Sequence, residues 1–164
     1  MEGTSRSLPL YAPLALDPTG REHLAVLDAA AVLDDPAFGS AEVWQVGRSH
    51  PGTAELLAAL GDRLATASVG LRLYALGSED FLWSVMAAAH AAGLGRDEVR
   101  LACTGDPARR IRCVHCQHIG VAPLGRLDDT TVTCGGCGRR LTLRPHFSPR
   151  LGAYLGVAEP GGTP

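Results

Sequence analysis

Four cysteines carry the clearest chemistry in this chain. They stand as Cys113-Val114-His115-Cys116 and Cys134-Gly135-Gly136-Cys137, a C-x2-C-x17-C-x2-C pattern. A two-residue gap lets both thiolates of a pair turn toward one ion at about 2.3 Å, and two such knuckles complete a tetrahedron. This is the spacing of a zinc ribbon. With all four positions closed by cysteine, no place remains for a reactive water, so the expected role is structural. Four thiolates also hold iron in rubredoxins, which surround the metal with an aromatic core and glycine-rich knuckles. Residues 105–150 contain one aromatic, Phe147, and Gly138 follows Cys137 while Gln117 follows Cys116. That thin shell favours zinc and leaves iron as the alternative. A thioredoxin-type redox pair requires a strand–helix context, which neither pair has.

Other candidates for chemistry are weaker. His115, His118 and His146 lie near the quartet in sequence, but four cysteines already satisfy one ion, so they are read as exposed loop residues. Cys103 is the odd cysteine and is expected to be a small buried apolar side chain at a strand end. The turn Gly47 to Thr53 stands between a strand and a helix and is the nearest thing to a phosphate-cradling loop. No G-x-G-x-x-G occurs, so nucleotide binding is not the favoured expectation.

The segment around the quartet cannot bury much core. Ile111, Val121, Val132, Leu141 and Leu143 are its main apolar residues. A bound metal supplies the missing stability, with apparent binding energies on the order of 10 kcal/mol or more. Its short β-like pieces are Arg110–Arg112, Ile119–Val121, Thr130–Thr133 and Leu141–Leu143.

A different grammar precedes Gly105. Leu24–Asp28, Val43–Val46, Leu71–Leu76 and Val99–Cys103 read as strands. Leu56, Leu57, Leu60 and Leu64 mark an apolar helical stripe between the second and third. Ser78 caps a second helix over Glu79–Ala92, with Glu79 and Asp80 at the positive end of its dipole. From Phe81 on, this helix carries no charge, so both of its sides must be covered, within the unit, by the ribbon or by a partner subunit. Strands alternating with helices imply an α/β fold, a small parallel sheet with flanking helices, followed by a small β-rich zinc ribbon. The expected divisions are an N-terminal arm (1–22), an α/β domain (23–104), the four-cysteine ribbon (105–150), and a partner-docking stretch with a flexible tail (151–164).

Composition agrees with two modules. All 15 basic residues of the 164 are arginine. Residues 1–104 carry 7 Arg against 13 acids, and residues 105–150 carry 8 Arg against 3. The net charge of −2 therefore hides an acidic half and a basic half. The longest uncharged apolar run, Phe81 to Leu94, falls short of the roughly 20 residues a bilayer span needs. No signal-peptide pattern opens the chain. A cytoplasmic protein with reduced thiols and no membrane partner is expected.

Two resemblances add to this. Tyr74-Ala75-Leu76-Gly77-Ser78-Glu79-Asp80-Phe81-Leu82, with the helix and strand after it, resembles the end of the nucleotide-binding domain of ferredoxin-reductase-type flavoproteins. Gly77, Phe81 and Leu82 match that family's C-G-P-x-x-[FL]-[ML] turn; Leu76 replaces its Cys and Ser78 its Pro. The second covers roughly residues 20–158. Arg110-x-Arg112-Cys113-x-His115-Cys116, Cys134-x-x-Cys137-Gly138 and the closing His146-Phe147-Ser148-x-Arg150-Leu151-Gly152-Ala153-Tyr154-Leu155-Gly156-Val157 resemble the small zinc-ribbon (A) subunit of dimethylamine monooxygenase. Membership implies a non-catalytic subunit of a bacterial enzyme that oxidises dimethylamine to methylamine and formaldehyde with O2 and NADPH. Its partners would be the oxygenase and reductase subunits, docked by Arg109, Arg110, Arg112, Arg139, Arg140, Arg144 and the closing stretch. The alternatives are a rubredoxin-like iron electron carrier and a nucleic-acid-binding ribbon. The +5 module permits the latter, but one aromatic offers no stacking platform, so no nucleic-acid partner is expected.

Overall fold

The protein was analysed as a computed structural model, which describes residues 8–104, 108–123 and 130–158. The first seven residues of the expected arm and the tail from Glu159 lie outside the described residues. The described residues fall into two compact units, 11–104 on one side and 8–10 with 108–123 and 130–158 on the other.

The first unit runs β1 (Glu22–Leu27), β2 (Glu42–Gln45), α1 (Thr53–Ala65), β3 (Leu71–Gly77), α2 (Glu79–Ala91) and β4 (Val99–Cys103). Its four strands are all parallel, in the order β2-β1-β3-β4. The α/β expectation holds, and the order explains how the sheet is covered. The steps β2–α1–β3 and β3–α2–β4 move the same way across the sheet, so right-handed crossovers put both helices on one face. The step from β1 to β2 moves the other way, so its connection must cross the opposite face.

That connection forms no α-helix. Asp34, Asp35 and Pro36 break any helical period, and only a 3-10 turn, Pro36–Ser40, forms, with the Asp35 carboxylate accepting from the Ala37 N–H at 2.9 Å. Its Ala31 and Phe38 are buried, and with Leu14, Leu16 and Leu33 they cover Ala25, Leu27, Tyr74, Leu76 and Ala102. The second face of the sheet is thus closed by coil and by the incoming chain. Asp17 holds that chain down. Its backbone N–H donates to the Tyr74 hydroxyl at 2.9 Å. Its carboxylate accepts from the Thr19 N–H (2.9 Å), the Thr19 hydroxyl (2.6 Å) and the Arg72 guanidinium (2.9 Å).

The helices follow their sequence signals. Leu56, Leu60 and Leu64 are the buried stripe of α1, each contributing roughly 1.5–3 kcal/mol of burial. The Ser78 hydroxyl accepts from the Phe81 N–H at 3.4 Å and starts α2. Leu82, Val85, Met86 and Ala89 are buried, and so are Phe81 and Trp83. Trp83 is covered from within the unit, its indole N–H donating to the Tyr11 hydroxyl at 2.9 Å.

The second unit is a five-stranded sheet. It comprises β5 (Ala108–Cys113), β6 (Ile119–Pro123), β7 (Thr131–Thr133), β8 (Arg140–Ser148) and β9 (Ala153–Ala158), in the order β6-β5-β9-β8-β7. β5 and β9 are parallel; the other pairs are antiparallel. Ile111, Leu141, Leu143, Phe147 and Tyr154 form the buried side, with the Phe147 and Tyr154 rings edge to face at 5.0 Å. Part of the stretch expected to dock partners supplies β9, the middle strand. Ala153 and Tyr154 are fully buried there, on a strand that pairs with β5 on one side and β8 on the other. The β8–β9 register shifts between Leu143 and Phe147, around Pro145, which has no N–H to give to a ladder. No helix among the described residues is long and apolar enough to cross a membrane.

Candidate metal centre

Cys113 ends β5 and Cys134 follows β7 directly, so strand ends deliver both knuckles to one place. The two knuckles share one hydrogen-bond scheme. Gln117 N–H donates to Cys113 O and Gly138 N–H to Cys134 O, both at 2.9 Å. Cys113 N–H donates to His118 O and Cys134 N–H to Arg139 O, again at 2.9 Å. In each knuckle the residue after the second cysteine is left-handed: Gln117 at φ 65° and Gly138 at φ 71°.

The four Sγ atoms lie within 4.8 Å of one another. Sγ of Cys113 and Cys137 are 3.9 Å apart, and those of Cys116 and Cys134 are 3.6 Å apart. A tetrahedron with metal–sulfur bonds of about 2.3 Å has edges of about 3.8 Å. The donor set and its spacing therefore fit one tetrahedral ion. Cys113 and Cys134 are buried, while Cys116 and Cys137 are partly exposed.

The thiols are not equivalent without a cation. At Cys116 a hydrogen bond from the His118 backbone favours the thiolate. Burial and the thiols of Cys134, Cys137 and Cys113 outweigh it, and the group is pushed up to about 12. At Cys134 burial opposes ionisation, but the backbone N–H groups of Cys137 and Gly136 and the thiols of Cys116 and Cys137 bring it down to about 6. Four sulfurs this close cannot all ionise unaided; a divalent cation removes that conflict.

The nearby histidines, His115, His118 and His146, are all exposed, as expected. His118 lies over the second knuckle, and a Cβ built on Gly136 would come within 2.7 Å of its Cβ and 3.2 Å of Cys116 Sγ. None of the three belongs to the four-ligand group. Of the expected docking arginines, Arg109 is turned to the Tyr154 hydroxyl at 2.6 Å, with its guanidinium 5.2 Å from the ring centroid. It pins the ribbon rather than presenting a free charge. Arg140 and Arg144 are exposed. The glycine at 136 and the left-handed Gln117 escaped sequence reasoning as contributors to the site. The unequal fifth positions of otherwise matched knuckles were the available signal for the second.

In the α/β unit the polar groups at the carboxyl ends of the strands bond one another. Asp28 accepts from the Ser78 hydroxyl at 2.8 Å and from the Ala29 N–H at 2.8 Å. The Gln45 amide donates to the carbonyl of Ala31 at 2.9 Å. Gly47 N–H donates to His50 O at 2.7 Å, and Ser49 Oγ accepts from Gln45 N–H, also at 2.7 Å. The Gly47–Thr53 turn thus satisfies much of its own backbone. Cys103 is not fully buried as expected; it is partly exposed at the end of edge strand β4, beside a cavity of about 530 Å³ with Tyr11, Leu76 and Thr104.

Known proteins align with both units. Residues 110–157 match the family "Dimethylamine monooxygenase subunit DmmA-like, C-terminal domain", and residues 41–99 match its N-terminal domain. A relative from Ectopseudomonas mendocina (strain ymp), named heme-dependent oxidative N-demethylase delta subunit, is 38% identical over 165 residues. The alignment covers 96% of this chain and 91% of the relative. No solved structure gives a significant match. With both units matched and a relative aligned from end to end, this chain belongs to the family of DmmA-like dimethylamine monooxygenase subunits.

Proposed function

We propose that this chain is a non-catalytic subunit of an oxidative N-demethylase complex. In it, Cys113, Cys116, Cys134 and Cys137 hold one zinc ion, and the ribbon so fixed docks the oxygenase and reductase subunits. The observation that carries this is the end-to-end similarity to a delta subunit of such an enzyme. The complex would oxidise dimethylamine to methylamine and formaldehyde with O2 and NADPH, its redox groups residing in other subunits. Zinc, when bound, supplies redox-inert cross-linking of four thiolates. The chain's own residues do the rest. Backbone N–H groups at the knuckles support the thiolates, and the strands carry exposed arginines outward, where positive charge speeds encounter with acidic partners. The self-bonded carboxyl edge of the sheet supports a scaffold role for the α/β unit. Its setting would be the cytoplasm.

Metal analysis of the purified chain tests the first part. One zinc per chain and a colourless solution are expected. One iron per chain, with a red colour that bleaches on reduction, would replace the scaffold by an electron carrier. Co-purification with the oxygenase and reductase subunits tests the second part.

A further inference from the structure

The two knuckles are built alike except at one position. Where the second uses Gly138 at φ 71°, the first uses Gln117 at φ 65°. That conformation is costless for glycine and strained for a side chain with a Cβ. Nothing in the shared hydrogen-bond scheme asks for an amide there, since the Gln117 N–H makes the same bond to Cys113 O that Gly138 makes to Cys134 O. Residues held in sparsely populated backbone regions gather where a protein does its work. What Gln117 adds is its side chain. The Arg112 guanidinium donates to Gln117 Oε1 at 3.0 Å. This engages the amide oxygen, so what the pair has left to offer is mainly N–H donors: the amide NH2 and the remaining guanidinium N–H groups. Gln117 is exposed, as is His115, and Val114 at the knuckle tip is 47% exposed. The second knuckle has no side chain at the matching position, Gly138, and its tip is Gly135 and Gly136 beside His118.

We infer that the tip of the first knuckle is the ribbon's contact with a partner subunit, with Arg112 and Gln117 gripping a carboxylate on an acidic surface beside an apolar contact for Val114. A donor-rich, cationic fork matches an acceptor-only carboxylate. A nucleic acid offers phosphate acceptors too, but it also needs a stacking surface. The aromatics Phe147 and Tyr154 of this unit are 2% and 0% exposed. This inference rests on the proposed subunit role and names the surface through which that role is exercised.

The test pits stability against association. Gln117→Gly relieves the strain, so the zinc-loaded full-length chain should melt about 2–4 °C higher. Losing one charge-assisted contact should weaken its binding to the purified oxygenase and reductase subunits about tenfold. Gln117→Asn tolerates the same backbone but is one methylene too short to meet Arg112, and should weaken binding comparably with no loss of stability. Failure of the wild-type chain to bind those subunits would overturn the subunit role itself. Wild-type binding that both variants keep would overturn the inference alone. So would a fall in melting temperature for Gln117→Gly, which would make the amide an internal brace. Tight binding of a 20-nucleotide single strand that both variants weaken, with subunit binding unchanged, would assign the surface to nucleic acid.

Discussion

Cys134 is the most consequential single residue of the ribbon, since it is buried and receives an N–H from Gly136 at 3.4 Å. Cys134→Ser replaces a thiolate by a hydroxyl that zinc prefers far less. It should release the metal, and with it binding energy on the order of 10 kcal/mol, so the second unit should unfold well before the first. Metal content and a thermal melt resolved into two transitions would check this; a variant that keeps its metal would refute the quartet. Gly136 gives a gentler probe. Gly136→Ala forces a Cβ to 2.7 Å from His118 Cβ, a contact something must yield to. Overpacking of this kind costs about 1–3 kcal/mol, and the loss should appear in the ribbon transition. The quartet was legible in the sequence because ligand spacing is a local property. The His118 contact was not, because it depends on two knuckles coming together, with Cys116 and Cys134, 18 residues apart, at 3.6 Å.

At the scale of elements, strands and helices of the α/β unit were legible because each carries its own signal: an apolar run, a helical stripe, a cap. Ser78 and the stripe Leu56, Leu60, Leu64 are examples. The covering of the helix-free face was not legible, since Phe38, Ala31, Leu14 and Leu16 sit in segments without any period. β9 was missed for a related reason. Ala153–Ala158 is a short apolar run near the end of the sequence, and only pairing with β5 and β8 makes it a middle strand. The clasp that holds the incoming chain has a pH signature. Thr19, through its hydroxyl and its N–H, and then Arg72 hold the Asp17 carboxyl well below the usual carboxylate range. A carboxyl depressed in the folded state adds stability that is fully present above its unfolded value near 4 and is lost as pH falls below it. The α/β transition should therefore weaken as pH drops from about 5 toward 2, and Asp17→Asn should flatten that dependence while lowering stability at neutral pH. An unchanged acid profile in the variant would remove Asp17 from the account.

The whole molecule joins an α/β unit with an acidic sequence to a ribbon with a basic one, 7 Arg against 13 acids before Gly105 and 8 against 3 after it. We read the described residues of both units as a scaffold. The quartet is closed by four sulfurs, and the carboxyl edge of the sheet is tied up by Asp28, Ser78 and Gln45. On the proposed reading the chain acts through what it holds in place. Membership of a family of N-demethylase subunits supports that role. Reconstitution of the N-demethylase complex with and without this chain, followed by formaldehyde release from dimethylamine, tests it most directly. The account predicts that the chain alone releases none, that the remaining subunits release far less without it, and that adding the zinc-loaded chain restores the rate. Full formaldehyde release by the remaining subunits in its absence would contradict it.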